Sequence, residues 1–190
     1  MLLLIAGLVV FLGIHSVSIV APAWRNATAA RLGDVPWKLV YSVISLAGFI
    51  MIVKGYAAAR LDPVVLWVPP TGLRTATFLL MLPVFPLLVA AYFPGKLKAL
   101  ARHPMLLAVK FWALAHLLAN GMLADVVLFG AFLAWAVADR ISVKRREPRP
   151  VPSLPASKLN DVIAVAAGLG LYVGFALWLH PRWIGVPVVG

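Results

Sequence analysis

The 190-residue chain contains no cysteine and only six acidic residues. Without thiols it forms no disulfide, no cysteine-ligated zinc or iron–sulfur site, and no thiol nucleophile. Charged residues make up 12% of the sequence, whereas a soluble domain carries roughly 25%. These shortages exclude an ordinary soluble enzyme and a disordered chain, because both need a largely polar surface.

Apolar residues supply 63% of the chain, and the mean hydropathy is +0.99. A membrane-spanning helix needs about 20 mostly apolar residues, and six stretches meet or nearly meet that requirement. They predict an all-α polytopic membrane bundle of six transmembrane helices, built as one domain over residues 1–190. The predicted spans are residues 2–20, 37–56, 73–93, 105–119, 122–138 and 162–179.

The net charge is +11, from 17 basic and six acidic residues. In a soluble protein this surplus would indicate nucleic acid, but in a lipid-embedded chain it reports topology, and no nucleic-acid partner is expected. With six spans, most lysines and arginines fall on the side opposite the N-terminus. The positive-inside rule therefore predicts that the N- and C-termini are both outside, and that the basic, proline-rich loop 139–160 is cytoplasmic.

Three basic side chains lie deep inside predicted spans, where a charge costs about 2.5–3.5 kcal/mol on insertion scales. His15 and His116 either fix helix packing through a hydrogen bond or ligate a metal or haem iron through an imidazole nitrogen. Lys110 either extends to the cytoplasmic interface or pairs with an acid or a propionate. All three are therefore candidate functional residues.

The residues around His116 predict where its helix begins and which small side chain shares its face. Arg102-His103 precedes Pro104, and proline favours the first helical position, so a helix entrance is predicted there. At about 100° per residue, Ala113 shares the face of His116, and its small side chain would leave room for a flat ligand.

Other polar and small residues in the spans predict structural features. Asp125, close to the Asn120-Gly121 turn, is expected near headgroups or paired across that helix hairpin. Pro83 and Pro86 predict a kink in the third span. Gly170 and Gly174 predict close helix packing in the sixth.

Three segments carry a family resemblance: His15-Ser16, RHPMLLAVKFWALAHLLANG at 102–121 and AWAVADR at 134–140. On these residues the chain resembles the NnrU family of bacterial multi-pass membrane proteins over nearly its whole length. The stretch from RHP to LAHLLANG is the specific part, since the rest is generic hydrophobic sequence. The resemblance implies a multi-pass protein of the cell inner membrane, with a link to nitric oxide reductase and denitrification.

The family is similar to the plant and algal 15-cis-zeta-carotene isomerase, an integral membrane protein that uses haem b. This similarity implies haem b bound by His15 and His116, with Arg102, His103 and Lys110 contacting the cofactor. It also implies cis–trans isomerisation of a hydrophobic polyene such as zeta-carotene. The isomerase has a cysteine where this chain has Ala113, so a ligand exchange based on that cysteine is not available here.

The predicted topology places the two histidines at different depths. His15 lies about 8 Å from the inner end of its span and His116 about 17–20 Å from the inner end of the other. Helix tilt, or a later inner end of the first span, would be needed for both to reach one iron.

Two alternative functions are compatible with the same residues. The first is a non-enzymatic membrane factor for nitric oxide reductase assembly, which would dock reductase subunits through the basic loop and helix faces. The second follows from the RHP element, which also resembles isoprenylcysteine and phospholipid methyltransferase-like membrane enzymes. It implies a lipid-directed methyltransferase that binds S-adenosylmethionine near Arg102 and His103.

Overall fold

The chain is helical through most of the residues that the structure, a computed structural model, describes: 1–149 and 151–188. A single β-bridge, Val65 with Met122, is the only strand-like pairing in these ranges, so the all-α class is confirmed for them. The helices are α1 (Leu2–Val20), α2 (Pro22–Leu32), α3 (Asp34–Ala59), α4 (Leu73–Met81), α5 (Val84–Ala90), α6 (Lys96–Ala101), α7 (Pro104–Ala119), α8 (Leu123–Ser142), α9 (Asn160–Gly174) and α10 (His180–Ile184), with a π-helical turn at Phe175–Leu179.

Four helical segments among the described residues are long and apolar enough to cross a membrane. They are α1, α3, the α4–α5 pair (Leu73–Ala90) and α9 with its continuation (Asn160–Ile184). Only 11–22% of the residues in their most apolar windows are buried inside the protein. Lipid is the solvent that accounts for so much exposed apolar helix surface.

The other two predicted spans fall short of this standard for different reasons. Helix α7 has 16 residues and is about 24 Å long, less than the roughly 30 Å hydrocarbon core. Helix α8 has 20 residues but carries Asp125, Asp139 and Arg140. The six-span topology and the external termini therefore stay predictions.

The first compact unit, called unit 1, comprises Met1–Pro69 and Asn120–Pro148. Within it α1 packs antiparallel along α3, and α8 packs against both. Glycines allow the close approach of α1 and α3, since Gly7, Gly48 and Gly55 each face the backbone of the opposite helix. The two helices therefore touch through their main chains, which holds the residues near Phe11 in place.

Gly48→Ala is expected to lower the free energy of unfolding by about 1–3 kcal/mol, the usual cost of overpacking. A β-carbon at Gly48 would lie 2.7 Å from the backbone nitrogen of Phe11, and no side-chain rotation relieves a backbone clash. Thermal unfolding in detergent, followed by circular dichroism, measures the effect. Gly13→Ala is the matched control because nothing lies within 4 Å of the position on α1. Equal melting of the two variants would contradict the close approach.

The second unit, called unit 2, comprises Pro70–Ala119 and Arg149–Gly190. Helix α5 packs against α7 and α9, and α4 packs against α7. Val84, Leu87 and Ala108 form a buried cluster, and Trp112 packs against it. The second half of the kinked span is therefore the centre of this unit.

The kink predicted in the third span is present, since α4 ends at Met81 and α5 begins at Val84. The prediction that Gly170 and Gly174 permit close packing in the sixth span was wrong, because Gly168 has that role instead. Gly168 meets the backbone of Pro86, whereas a β-carbon at Gly170 or Gly174 would have nothing within 4 Å. Residues two positions apart point to different sides of a helix, and the side that carries Gly168 meets α5.

Several predicted connecting segments contain helix, among them the segment between the third and fourth predicted spans, which contains α6. Residues 22–32, between the first two predicted spans, form α2, which starts with proline at its first position. The basic loop predicted at 139–160 begins later, because α8 continues to Ser142, and it ends where α9 starts at Asn160. Asp139, which lies in this extension, pairs with Arg146, as described below.

Candidate functional site

His15 lies in the penultimate turn of α1, in unit 1. Its Nδ1 lies 2.6 Å from the carbonyl oxygen of Phe11, one turn earlier. Donation from Nδ1–H to this carbonyl makes Nε2 the ring nitrogen through which His15 would bind another group. The helix backbone thus fixes both the tautomer and the direction of the imidazole.

Aromatic rings from three helices surround the His15 imidazole. The Phe11 ring stacks on it, with centroids 4.2 Å apart. Tyr41 of α3 and Trp135 of α8 contact it edge-on, at centroid distances of 5.1 and 5.9 Å. The Trp135 Nε1–H is buried and has no hydrogen-bond partner among the described residues. A buried donor of this kind is costly and is often kept for a ligand or a redox role.

An ion pair lies at the same end of unit 1. Arg146 Nη1 is 3.0 Å from Asp139 Oδ1, and the two side chains are 18% and 11% exposed. The same guanidinium donates to the carbonyl oxygen of Ser18, at 3.0 Å, and Asp139 acts electrostatically on His15 and Tyr41. The residues that follow α8 are therefore bound to α1 close to His15.

A cavity of about 260 Å³ opens beside this group of residues. Small-molecule sites usually measure about 300–1,000 Å³, so this cavity suits a headgroup rather than a whole porphyrin. The imidazole of His15 has the donor chemistry that would hold haem iron through Nε2. The polar and charged residues that line the cavity are Ser18, Arg25, Lys38, Tyr41 and Ser42, with Trp37 beside them.

His116 belongs to unit 2 and repeats the local arrangement of His15. Its Nδ1 lies 2.8 Å from the carbonyl oxygen of Trp112, and the two rings are 5.4 Å apart. Both histidines thus have an aromatic residue four positions earlier that supplies a hydrogen-bond acceptor and a ring contact. Ala113 is fully buried, so the room predicted beside it for a flat ligand is already filled.

The other predicted cofactor residues also lie in unit 2. Helix α7 begins at Pro104 as predicted, and Lys110 is half-buried in its middle. Arg102, just before this helix, has a positive φ of 59°, and the His103 N–H contacts the Ala101 carbonyl at 2.6 Å. The described residues contain no cluster of three or more metal-ligating acids and histidines. Ligand roles for these residues therefore stay predictions.

Asp125 does not pair across the predicted helix hairpin between α7 and α8. It is fully buried in unit 1 and accepts a hydrogen bond from Tyr56 of α3. This contact ties the start of α8 to the end of α3, so Asp125 has a structural role.

Sequence reasoning did not identify Tyr41, Trp135, Asp139 and Arg146 as members of the His15 environment. The AWAVADR segment, which contains Trp135 and Asp139, carries part of the family resemblance but gives no sign of a contact with His15. The pairing of either residue depends on α8 packing beside α1, which no local pattern reveals.

These features define an all-helical membrane protein with two histidines anchored in the same way inside apolar helices. The chain belongs to the NnrU family, because the family model described as NnrU protein matches residues 3–188. Comparisons with curated proteins and with solved structures give no match. The resemblance carried by RHP and LAHLLANG is thus confirmed over nearly the whole chain.

Proposed function

We propose that this NnrU-family protein binds haem b in the membrane, and that His15 and His116 are the residues whose imidazoles would hold it. The observation that carries the proposal is the shared anchoring of the two imidazoles through Nδ1, at 2.6 and 2.8 Å from backbone carbonyls. Histidines that ligate a metal almost always donate their other ring N–H to a carbonyl, a carboxylate or water. Each ring is therefore oriented to use Nε2.

The residues around His15 support the same proposal. The imidazole is held from three sides by Phe11, Tyr41 and Trp135. Because the ring already has little rotational freedom, binding a ligand would cost less side-chain entropy. The apolar helices around the site exclude water. These three rings would orient the imidazole toward a bound group.

When bound, haem b supplies an iron centre suited to a diatomic ligand such as nitric oxide or to weakening one double bond of a conjugated polyene. The first chemistry corresponds to the family's link with denitrification, and the second to its similarity with the carotene isomerase. For a polyene, exposed apolar helix surface offers entry from the lipid. The protein's own residues would hold the imidazoles and keep water out.

We expect the purified protein, expressed with an adequate haem supply, to show a Soret band. His15→Ala and His116→Ala should each abolish or shift this band, because each removes an imidazole anchored to its helix. His180→Ala is the matched control. His180 Nδ1 bonds to the carbonyl oxygen of Val186, six residues later, and not to a carbonyl one helical turn earlier. The measurement is the absorption spectrum, oxidised and reduced, with circular dichroism as the folding check.

A folded but colourless wild-type protein would reject haem binding. Its co-purification with nitric oxide reductase subunits would then support the non-enzymatic assembly factor. Tight binding of S-adenosylmethionine that is lost in His103→Ala would instead support the lipid-directed methyltransferase.

A further inference from the structure

Helix α2 brings a basic residue to the end of unit 1 at which α1 ends and α3 begins. The chain leaves α1 at Ala21, whose φ and ψ of −137° and 56° end the helix, and restarts at Pro22. Trp24 of α2 contacts Trp37 of α3 edge-on at 6.3 Å and is 58% exposed. Exposed tryptophans at helix ends are typical of the membrane–water interface.

The cavity of about 260 Å³ lies among α1, α2 and α3 at this end. Arg25 and Lys38 supply cations to its lining, and the hydroxyl groups of Ser18, Tyr41 and Ser42 supply further hydrogen-bond donors. Apolar side chains of α1 complete the wall. A cavity with this lining matches an anionic group that is attached to an apolar body.

The acidic residues nearby leave the cavity with available positive charge. Arg25 stacks over the Trp37 ring at 5.4 Å and contacts Asn26 at 3.4 Å, with no carboxylate paired to it in the described ranges. Lys38 pairs with Asp34 at 3.3 Å, but both side chains are mostly exposed, so this pair is readily exchanged. The other nearby acid, Asp139, is paired with Arg146.

We propose that this cavity binds the phosphate group of an anionic membrane phospholipid. Arg25 and Lys38 would contact the phosphate, and the hydroxyl groups would contact the headgroup. Next to the cavity residues in sequence, Leu39 and Val43 of α3 are 64% and 59% exposed, an apolar surface that acyl chains cover and inorganic phosphate does not. The cytoplasmic leaflet, where the positive-inside rule puts this end, is the anionic one.

Native mass spectrometry of the full chain in detergent tests the proposal, with phosphatidylglycerol, phosphatidylcholine and inorganic phosphate as probes. We expect preferential binding of phosphatidylglycerol. Arg25→Gln and Lys38→Gln should each raise its Kd about fivefold, the order expected for one interfacial cation. Arg182→Gln is the matched control, because Arg182 also stacks on a tryptophan, Trp178 at 5.6 Å, but does not line the cavity.

Three results would overturn the proposal. Equal losses in Arg25→Gln and Arg182→Gln would show general charge attraction rather than a site. Displacement of the lipid by inorganic phosphate at comparable concentration would assign the cavity to free phosphate. Equal affinity for phosphatidylcholine would remove the requirement for an anion. Lys38 is exposed, so Lys38→Gln keeps the test valid if Arg25→Gln does not fold.

Discussion

Asp125→Ala is expected to lower the free energy of unfolding by about 3 kcal/mol. Asp125 is fully buried, and its carboxylate accepts hydrogen bonds from the Tyr56 hydroxyl at 2.5 Å and from the Met122 N–H at 3.0 Å. Hydrogen bonds to a charged group contribute about 1.5–3 kcal/mol each. Alanine removes the acceptor of both hydrogen bonds. It also removes an acidic side chain from the first turn of α8, where the helix dipole stabilises one.

Thermal unfolding in detergent should show a Tm about 10 °C lower for Asp125→Ala. Asp125→Asn keeps one carbonyl acceptor and should lose less, and Tyr56→Phe should lose only the tyrosine hydrogen bond, about 1 kcal/mol or slightly more. A wild-type Tm for Asp125→Ala would mean that α8 does not depend on this carboxylate.

Arg146→Ala is expected to cost about 3 kcal/mol and to release the segment after α8. The substitution leaves the mostly buried Asp139 carboxylate without its partner at 3.0 Å, and it removes the donor to the Ser18 carbonyl. Breaking a buried pair by removing one partner costs about 3–5 kcal/mol, and partial exposure places this pair at the lower end. The Tm and the rate of tryptic cleavage in the basic segment measure the two effects.

The neighbouring Arg145→Ala serves as the control, because it removes the same charge from an exposed position. The double variant Arg146→Met with Asp139→Leu should recover much of the lost stability, since no uncompensated charge is left buried. If Arg145→Ala and Arg146→Ala behave alike, the ion pair does not stabilise unit 1.

Helices that depend on local composition were predictable from the sequence. The first span, predicted at 2–20, coincides with α1, and the fourth, predicted at 105–119, differs from α7 by one residue. A long apolar run is a property of neighbouring residues, and lipid requires its backbone to be hydrogen-bonded within the segment. Span boundaries near polar residues were predicted less accurately. The fifth span was predicted to end before the charged Asp139, but α8 continues past it, and Asp139 pairs with Arg146.

The candidate site was predictable only in part. His15 and His116 stand out because imidazoles are rare and costly inside apolar helices. Phe11 and Trp112 stand four residues earlier in the sequence, but their hydrogen bonds and ring contacts with the histidines were not predicted. Tyr41, Trp135 and Arg146 come from distant parts of the chain, and only their packing against α1 relates them to His15.

From the sequence alone follow a thiol-free, basic, apolar chain of helices, its family and its intramembrane histidines. These properties depend on residue type and short-range spacing. The free energy of transferring a side chain to lipid depends mainly on that side chain and its position in the span. The tertiary structure decided which polar groups are partnered, which glycines permit close packing, and which cations line a cavity. Such relations join residues on different helices, so they exist only once the helices are packed together.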